Sequence, residues 1–310
     1  MVKRRGQPVH GWVNLDKPSG ISSAQALAIV KRVFNAEKAG HGGTLDPLAS
    51  GVLPIALGEA TKTMSYTMGK SKSYQFSLSW GAETSTDDTE GEITRQSDIR
   101  PSDADIDRVL EQFLGMIDQV PPDYSAIKID GARAYNLARQ AADGQPMPTL
   151  KPRQVRIDQF RRLESDQASA RFFVGCGKGA YIRALARDLG RTLGTAAHVI
   201  SLRRLSVGQF HADHAISLDF LEKLTHSAAA FEHLHPVLSA LDDIPALPIS
   251  RAEATKFRHG QTLPALSALA QQRFAMLMTG STAIAIEGQT PVALVMLKSG
   301  AICPVRVLNL

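Results

Sequence analysis

His41–Pro54 reads HGGTLDPLASGVLP. Within it Asp46 is the sole acidic residue between His41 and Glu59, and it stands directly before Pro47 with Gly40, Gly42, Gly43 and Gly51 around it. Proline fixes its own φ and drives the preceding residue out of the α region, so Asp46 is expected in extended or turn geometry, its side chain aimed by a stiff backbone. The glycines supply positions where φ can turn positive and where a ligand can approach the main chain closely. A turn in which Asp46 bonds its own backbone accounts for the same pattern, because Asp and Gly dominate turns.

Three further runs stand out. In WVNLDKPSGISS (12–23) an apolar strand ends at Leu15, the chain turns through Pro18 and Gly20, and Ser22 or Ser23 is placed to cap a helix reaching about Phe34. Tyr74 begins an alternating run with Tyr74, Phe76 and Leu78 on one face, where periodicity alone makes it a core aromatic. Lys178–Arg183, KGAYIR, follows the apolar run Phe172–Gly175 and opens a helix through Arg191. Judged singly, an arginine there belongs to a solvated face.

Together with GHGGTLDPLASGVLP, the K-P-x-G turn and the K-G-x-Y-I-R block resemble, in the same order, the TruB-type tRNA pseudouridine synthases. The resemblance implies that Asp46 is the essential carboxylate and that Tyr74 stacks on the target base and helps move the proton released from C5. It implies that Arg183 pairs with Asp46 through a charge-assisted hydrogen bond, keeping it ionised and oriented. Tyr181, His41, Gly43 and Thr44 join the substrate-binding set, Lys17 and Pro18 brace the Asp46 loop, and Leu202 matches a position whose backbone lies near the uracil edge. Gly42 departs from the pattern, which usually has Thr there, so no contact is assigned to it. Pro121–Arg139 and Pro152–Ile157 resemble further blocks, read as scaffold and RNA-facing surface. The implied reaction isomerises uridine 55 in the T loop of tRNA to pseudouridine, by base flipping, cleavage of N1–C1′ and joining of C5 to C1′, with no metal, nucleotide or redox cofactor. Whether Asp46 attacks the sugar, attacks the base or removes a sugar proton is left open. A different class also stays open, an RNA-binding or tRNA-folding factor for which catalysis is dispensable.

Gly175, Gly177 and Ala180 satisfy G-x-G-x-x-G/A between a strand and a helix, the dinucleotide-binding pattern. That reading requires an acidic residue about twenty positions on, at the end of the next strand. His198–Leu205, HVISLRRL, offers two arginines and no acid there, which argues against it.

With 44% hydrophobic and 21% charged residues, 310 residues suffice for one large domain and a small one. No apolar run reaches membrane-spanning length and Met1–Gly11 lacks the apolar block of a signal peptide, so a cytoplasmic protein is expected, and the resemblance favours a monomer. Cys176 and Cys303 lie far apart, and no Cys or carboxylate pattern completes a zinc site around the nine histidines, so no metal is expected. The net charge of +5 is unevenly spread: Met1–Lys38 holds seven basic against two acidic residues and Lys151–Phe210 twelve against four, leaving the remainder acidic. Such segments attract polyanions through phosphate contacts and counterion release, and both contain blocks named above.

Ile106–Met116 reads as an amphipathic helix, Asp130–Ala142 as part of another, Val155–Leu163 and Ala170–Val174 as strands, and Thr84–Glu92 as an exposed acidic loop. Without regular βαβ alternation, an α+β catalytic domain over residues 1–241, a mixed and mostly antiparallel sheet flanked by helices, is favoured over a doubly wound one. Residues 242–250, DDIPALPIS, read as a linker. Residues 251–310, with β-rich runs at Ala283–Glu287, Val292–Leu297 and Val305–Leu308, resemble the small PUA β-barrel of RNA-modifying enzymes.

Overall fold

The computed structural model describes residues 6–125, 127–129, 131–142, 148–225, 227–265 and 280–310. Lys3, Arg4 and Arg5 of the basic amino terminus, Ala126 and Asp130 of the Pro121–Arg139 segment, and His226 lie outside the described residues.

In Lys72–Trp80 and Ser169–Cys176 every second residue is buried, the period of strands covered on one face. Ser50–Leu57 is buried on both faces, as a strand must be when cover lies on each side. These strands belong to a mixed sheet ordered Ile216–Ser217, Gly11–Lys17, Ser50–Leu57, Ala197–Val207, Lys72–Trp80, Ser169–Cys176, Arg153–Ser165, Gly115–Gln119. Along this path the pairings are antiparallel except at Gly11–Lys17 with Ile216–Ser217 and at Ser50–Leu57 with Ala197–Val207. The second parallel seam is short, Arg203 opposite Ser50 and Arg204 opposite Gly51, and the candidate site is built beside it.

Helices Ser23–Val33, Asp103–Leu110 and Ile182–Thr192 cover one face over a core that includes Leu15, Val30, Phe76, Ile106, Phe172 and Leu189. Ser22 caps the first of them in a capping box with Gln25. On the other face Trp12, Val52 and Ala56 pack with Phe210, Ile284, Leu294 and Leu308, which fastens the carboxy-terminal unit to the back of the sheet.

Several boundaries differ from those read in the sequence. The helix expected over Ile106–Met116 runs Asp103–Leu110, because Ser102 caps it by accepting from the Asp105 N–H. A 3-10 turn follows, and Gly115, at φ +83°, lets Met116 enter the edge strand. The helix expected from Asp130 occupies Ala134–Ala142, after a hairpin of Lys128–Ile129 with Ala132–Arg133. Thr84–Glu92 is not simply exposed: Asp87 and Asp88 are 7% and 2% accessible, held in by arginines described below. Within 242–250, Ala246–Pro248 is a strand paired parallel to Thr282–Glu287, its proline at a sheet edge where no ladder N–H is missed. It begins a sheet ordered Ala246–Pro248, Thr282–Glu287, Thr290–Lys298, Ala301–Val307, Leu263–Pro264, covered by helix Arg251–Arg258 through Ala254 and Phe257. Among the described residues this sheet is open, its two end strands unpaired with each other.

Candidate functional site

The Asp46 loop leaves the edge strand Ala39–His41 and enters Ser50–Leu57. Asp46 accepts from the Ala49 N–H at 3.1 Å through its main-chain oxygen, so the turn is real, yet its side chain points to a partner elsewhere. Two clamps on the amino-terminal side fix the loop. Gly20 N–H donates to Pro47 O at 2.8 Å, and the Ser23 hydroxyl bonds both ways with Leu45, accepting from its N–H and donating to its C=O at 2.8 Å each. Since the Leu45 amide is buried with that hydroxyl as its partner, Ser23→Ala is expected to cost about 1–3 kcal/mol in urea unfolding and to lower turnover with KM unchanged. A third clamp is Arg204, 1% accessible, which donates to Val52 O (2.7 Å), Gly43 O (3.0 Å) and Thr44 O (3.4 Å).

Gly51 carries φ +101°, and a Cβ on it would lie 2.1 Å from Arg204 O. Gly51→Ala therefore combines strain with a backbone clash that no rotamer relieves, and a loss of at least about 3 kcal/mol in thermal or urea unfolding is expected. At Gly42 a Cβ would meet Thr67 Cγ2 at 2.9 Å, so this chain fills with Thr67 the space that a threonine at position 42 would claim.

Helix Ile182–Thr192 presents Arg183, Arg187 and Arg191 four residues apart, hence on one face. Each finds a carboxylate: Arg191 with Glu83 at 2.8 Å, Arg187 with Asp87 at 2.8 Å, and Arg183 with Asp88 at 3.4 Å and Asp46 at 2.9 Å. Arg183 also donates to Thr86 O (2.7 Å) and Tyr124 O (2.9 Å), and its side chain is 5% accessible against 38% for Asp46. A guanidinium held by Asp88 and two carbonyls thus presents a fixed Nη2 to one oxygen of Asp46, which alone of the two acids reaches solvent.

The open side of Asp46 faces a cavity of about 250 Å³, lined also by Gly43, Thr44, Tyr74, Tyr181, Leu202 and Arg204, with Lys72 and Lys178 near them. The Lys72 ammonium donates to Met68 O and Lys70 O, and burial pulls its pKa down to about 8 with help from Arg204 and Lys178. Burial pushes the phenols of Tyr74 and Tyr181 up. Tyr181 sits at the helix start, its N–H and C=O bonded to the Gln119 side chain at 2.8 and 3.1 Å. A small chamber with one solvent-reaching carboxylate and a buried phenol suits a flat ring, with the acid as base or nucleophile and the phenol as proton carrier.

Asp46, Tyr74, Arg183, Tyr181, Leu202, Gly43 and Thr44, all singled out in the sequence, come together at this cavity. Lys17, Pro18 and His41 do not line it. Lys17 is fully buried behind the loop, its ammonium donating to Pro18 O and Ile21 O and lowered to about 8 by burial despite the attraction of Asp46. Pro18 is exposed at the turn, and half-buried His41 keeps a buried Nδ1 with no hydrogen-bond partner, its pKa lowered by burial and then by Arg204. Ser23, Asp88 and Arg204 were missed. The phase of the strand carried a signal for Arg204, which sits two residues from Leu202 and so on its face, and the fourfold spacing of the three helix arginines called for acidic partners. Among the described residues no His, Cys, Asp and Glu group is arranged to hold a metal ion, and no helix is long and apolar enough to cross a membrane.

Residues 31–182 match the TruB family pseudouridylate synthase (N terminal domain), and residues 183–244 the tRNA pseudouridylate synthase B C-terminal domain. The chain is 49% identical to the tRNA pseudouridine synthase B of Bradyrhizobium diazoefficiens, over 100% of this chain and 88% of that one. It is 45% identical to that of Caulobacter sp. (strain K31), over 99% of both. Among solved structures, a Cbf5-Nop10-Gar1 complex aligns with TM-score 0.69 at 26% identity, over 96% of this chain and 84% of the other.

Proposed function

The chain belongs to the TruB family of pseudouridylate synthases, and from that premise we propose that it isomerises uridine 55 in the T-stem loop of tRNA to pseudouridine, with Asp46 as the essential carboxylate. The observation that carries the reading is the 2.9 Å ion pair of buried Arg183 with Asp46 at the mouth of a ring-sized chamber backed by Tyr74 and Leu202.

A uracil stacked inside a folded loop is out of reach, so it is extruded, at a cost of a few kcal/mol, and enters between Tyr74 and Leu202. Asp46, oriented by Arg183, then acts on the sugar or the base, the N1–C1′ bond breaks, the uracil turns in the chamber and C5 joins C1′. The proton left on C5 passes through Tyr74 to solvent, the phenol releasing its own proton as it takes this one, and its oxygen is the polar end of an otherwise packed ring. Tyr181 lies on the substrate side of the Asp46–Arg183 pair, and His41 beside the loop braces the displaced bases. Phosphate contacts come from the basic amino-terminal and 151–210 segments. The carboxy-terminal unit serves as a PUA-like RNA-binding element.

The test incubates the protein, without added metal or cofactor, with a tRNA transcript tritiated at C5 of uridine, and with a second transcript carrying cytidine at position 55. Tritium release from the first alone is expected. Equal release from both would remove the position assignment, and binding without release would replace the enzyme reading with that of an RNA-binding factor.

A further inference from the structure

Arg204 is a buried cation with no carboxylate partner among the described residues, while its neighbour Arg203 makes a two-point pair with Asp16 at 2.9 and 2.7 Å near the surface. Burying a charge without a counter-charge is costly, so its position calls for a use. Three of its bonds go to the main chain of the Asp46 loop and the strand after it. Across the sheet its direct partner is Tyr74, and a bulge between Arg204 and Ser206 interrupts the pairing at that point. Bulges beside functional sites re-aim side chains. Both residues line the cavity.

We propose that Arg204 is a positioning residue that fixes Tyr74 as well as the Asp46 loop, its guanidinium occupying the acceptor side of the phenol oxygen so that the hydroxyl faces the chamber. A guanidinium has five donors and no acceptor, so the Tyr74 oxygen must accept from it and its own proton must point elsewhere. One group thereby sets the spacing between carboxylate and phenol.

The consequence falls on the proton leaving C5: Tyr74 first gives its chamber-facing proton to solvent water, the C5–H bond then breaks, its electron pair restores the C5=C6 double bond of the uracil, and the C5 proton forms the new O–H bond on the phenolate. Burial raises the proton affinity of the phenolate, and the charge and hydrogen bond of Arg204 lower it again. The other groups facing that oxygen are Asp46 from the loop and the Cys176 thiol from the neighbouring strand, both of which raise it, and Lys72 lies two residues back on the same strand.

This inference rests on the proposed role of Tyr74, and the experiment separates the two. Single-turnover tritium release and tRNA affinity are measured for wild type, Arg204→Met and Arg204→Lys, each with tyrosine or 3-fluorotyrosine, a more acidic phenol, at position 74. Arg204→Met is expected to slow turnover about 100-fold with affinity within about threefold, the loss of one preorganised donor. Arg204→Lys, which keeps a cation but not the fork, is expected to fall between. Fluorotyrosine is expected to restore about tenfold in the Met background, the rate equivalent of one pKa unit, and to change wild type little. A purely structural Arg204 predicts the same fluorine effect in every background, and that result overturns the proposal. A Tyr74→Phe variant at full rate would remove the Tyr74 reading beneath it. Should Arg204→Met fail to fold, as judged by thermal unfolding, the comparison of wild type with Arg204→Lys decides by the same criterion.

Discussion

Asp46→Asn is expected to stop turnover, by at least about 10⁴-fold, the scale seen when the reacting side chain of a site is removed, while tRNA affinity stays within about threefold. The amide keeps the size of the carboxylate, and with its oxygen turned to the position of Oδ2 it can still face Arg183, so the loop, clamped independently by Ser23, Gly20 and Arg204, has no cause to move. What is lost is the charge and the second lone-pair-rich oxygen that a base or nucleophile needs. Single-turnover tritium release with filter-binding affinity measures both. Turnover within 100-fold of wild type would sink the assignment of Asp46.

Arg183→Met is expected to fail twice. It leaves Asp88, 2% accessible, as a buried carboxylate without its cation, which costs about 3–5 kcal/mol in urea unfolding. It also removes the cation that holds Asp46, lowering turnover by about 10²–10³-fold. The two losses are separable. Adding Asp88→Asn removes the buried charge and is expected to return about 2 kcal/mol of stability, a coupling of ordinary size for residues in one network. It should return no turnover, because Asp46 remains unheld. If the double variant recovered both together, the activity of Arg183 would be no more than a reflection of folding.

The Asp46–Pro47 turn was legible because proline and glycine act locally: the backbone rule that placed the carboxylate outside a helix holds whatever packs around it. Tyr74 on the core face followed as directly from a period of two. The acids of Thr84–Glu92 misled for the opposite reason. A run such as TSTDDTEGE looks solvated until its partners are known, and those lie far off, Arg187 bonding Asp87 across 100 positions. The boundary errors have a similar origin. Ser102 and Gly115 were visible as residues, but which serine caps and which glycine turns is decided by what the helix must pack against. Arg204 stood in phase with Leu202, yet a charge at a core position carries no meaning until the loop it holds is folded beneath it.

The short parallel seam has a consequence in time. Arg204 reaches Val52 across 152 positions, and the strand that carries it enters the sheet between two strands made long before it. Pairings at such separation are slow to form, because the intervening chain must be closed first. During synthesis the acid, the phenol and their turn all leave the ribosome before their anchor does. A nascent chain that ends ahead of Ala197 thus holds the reactive groups without the register that joins them, and competence arrives in one late step.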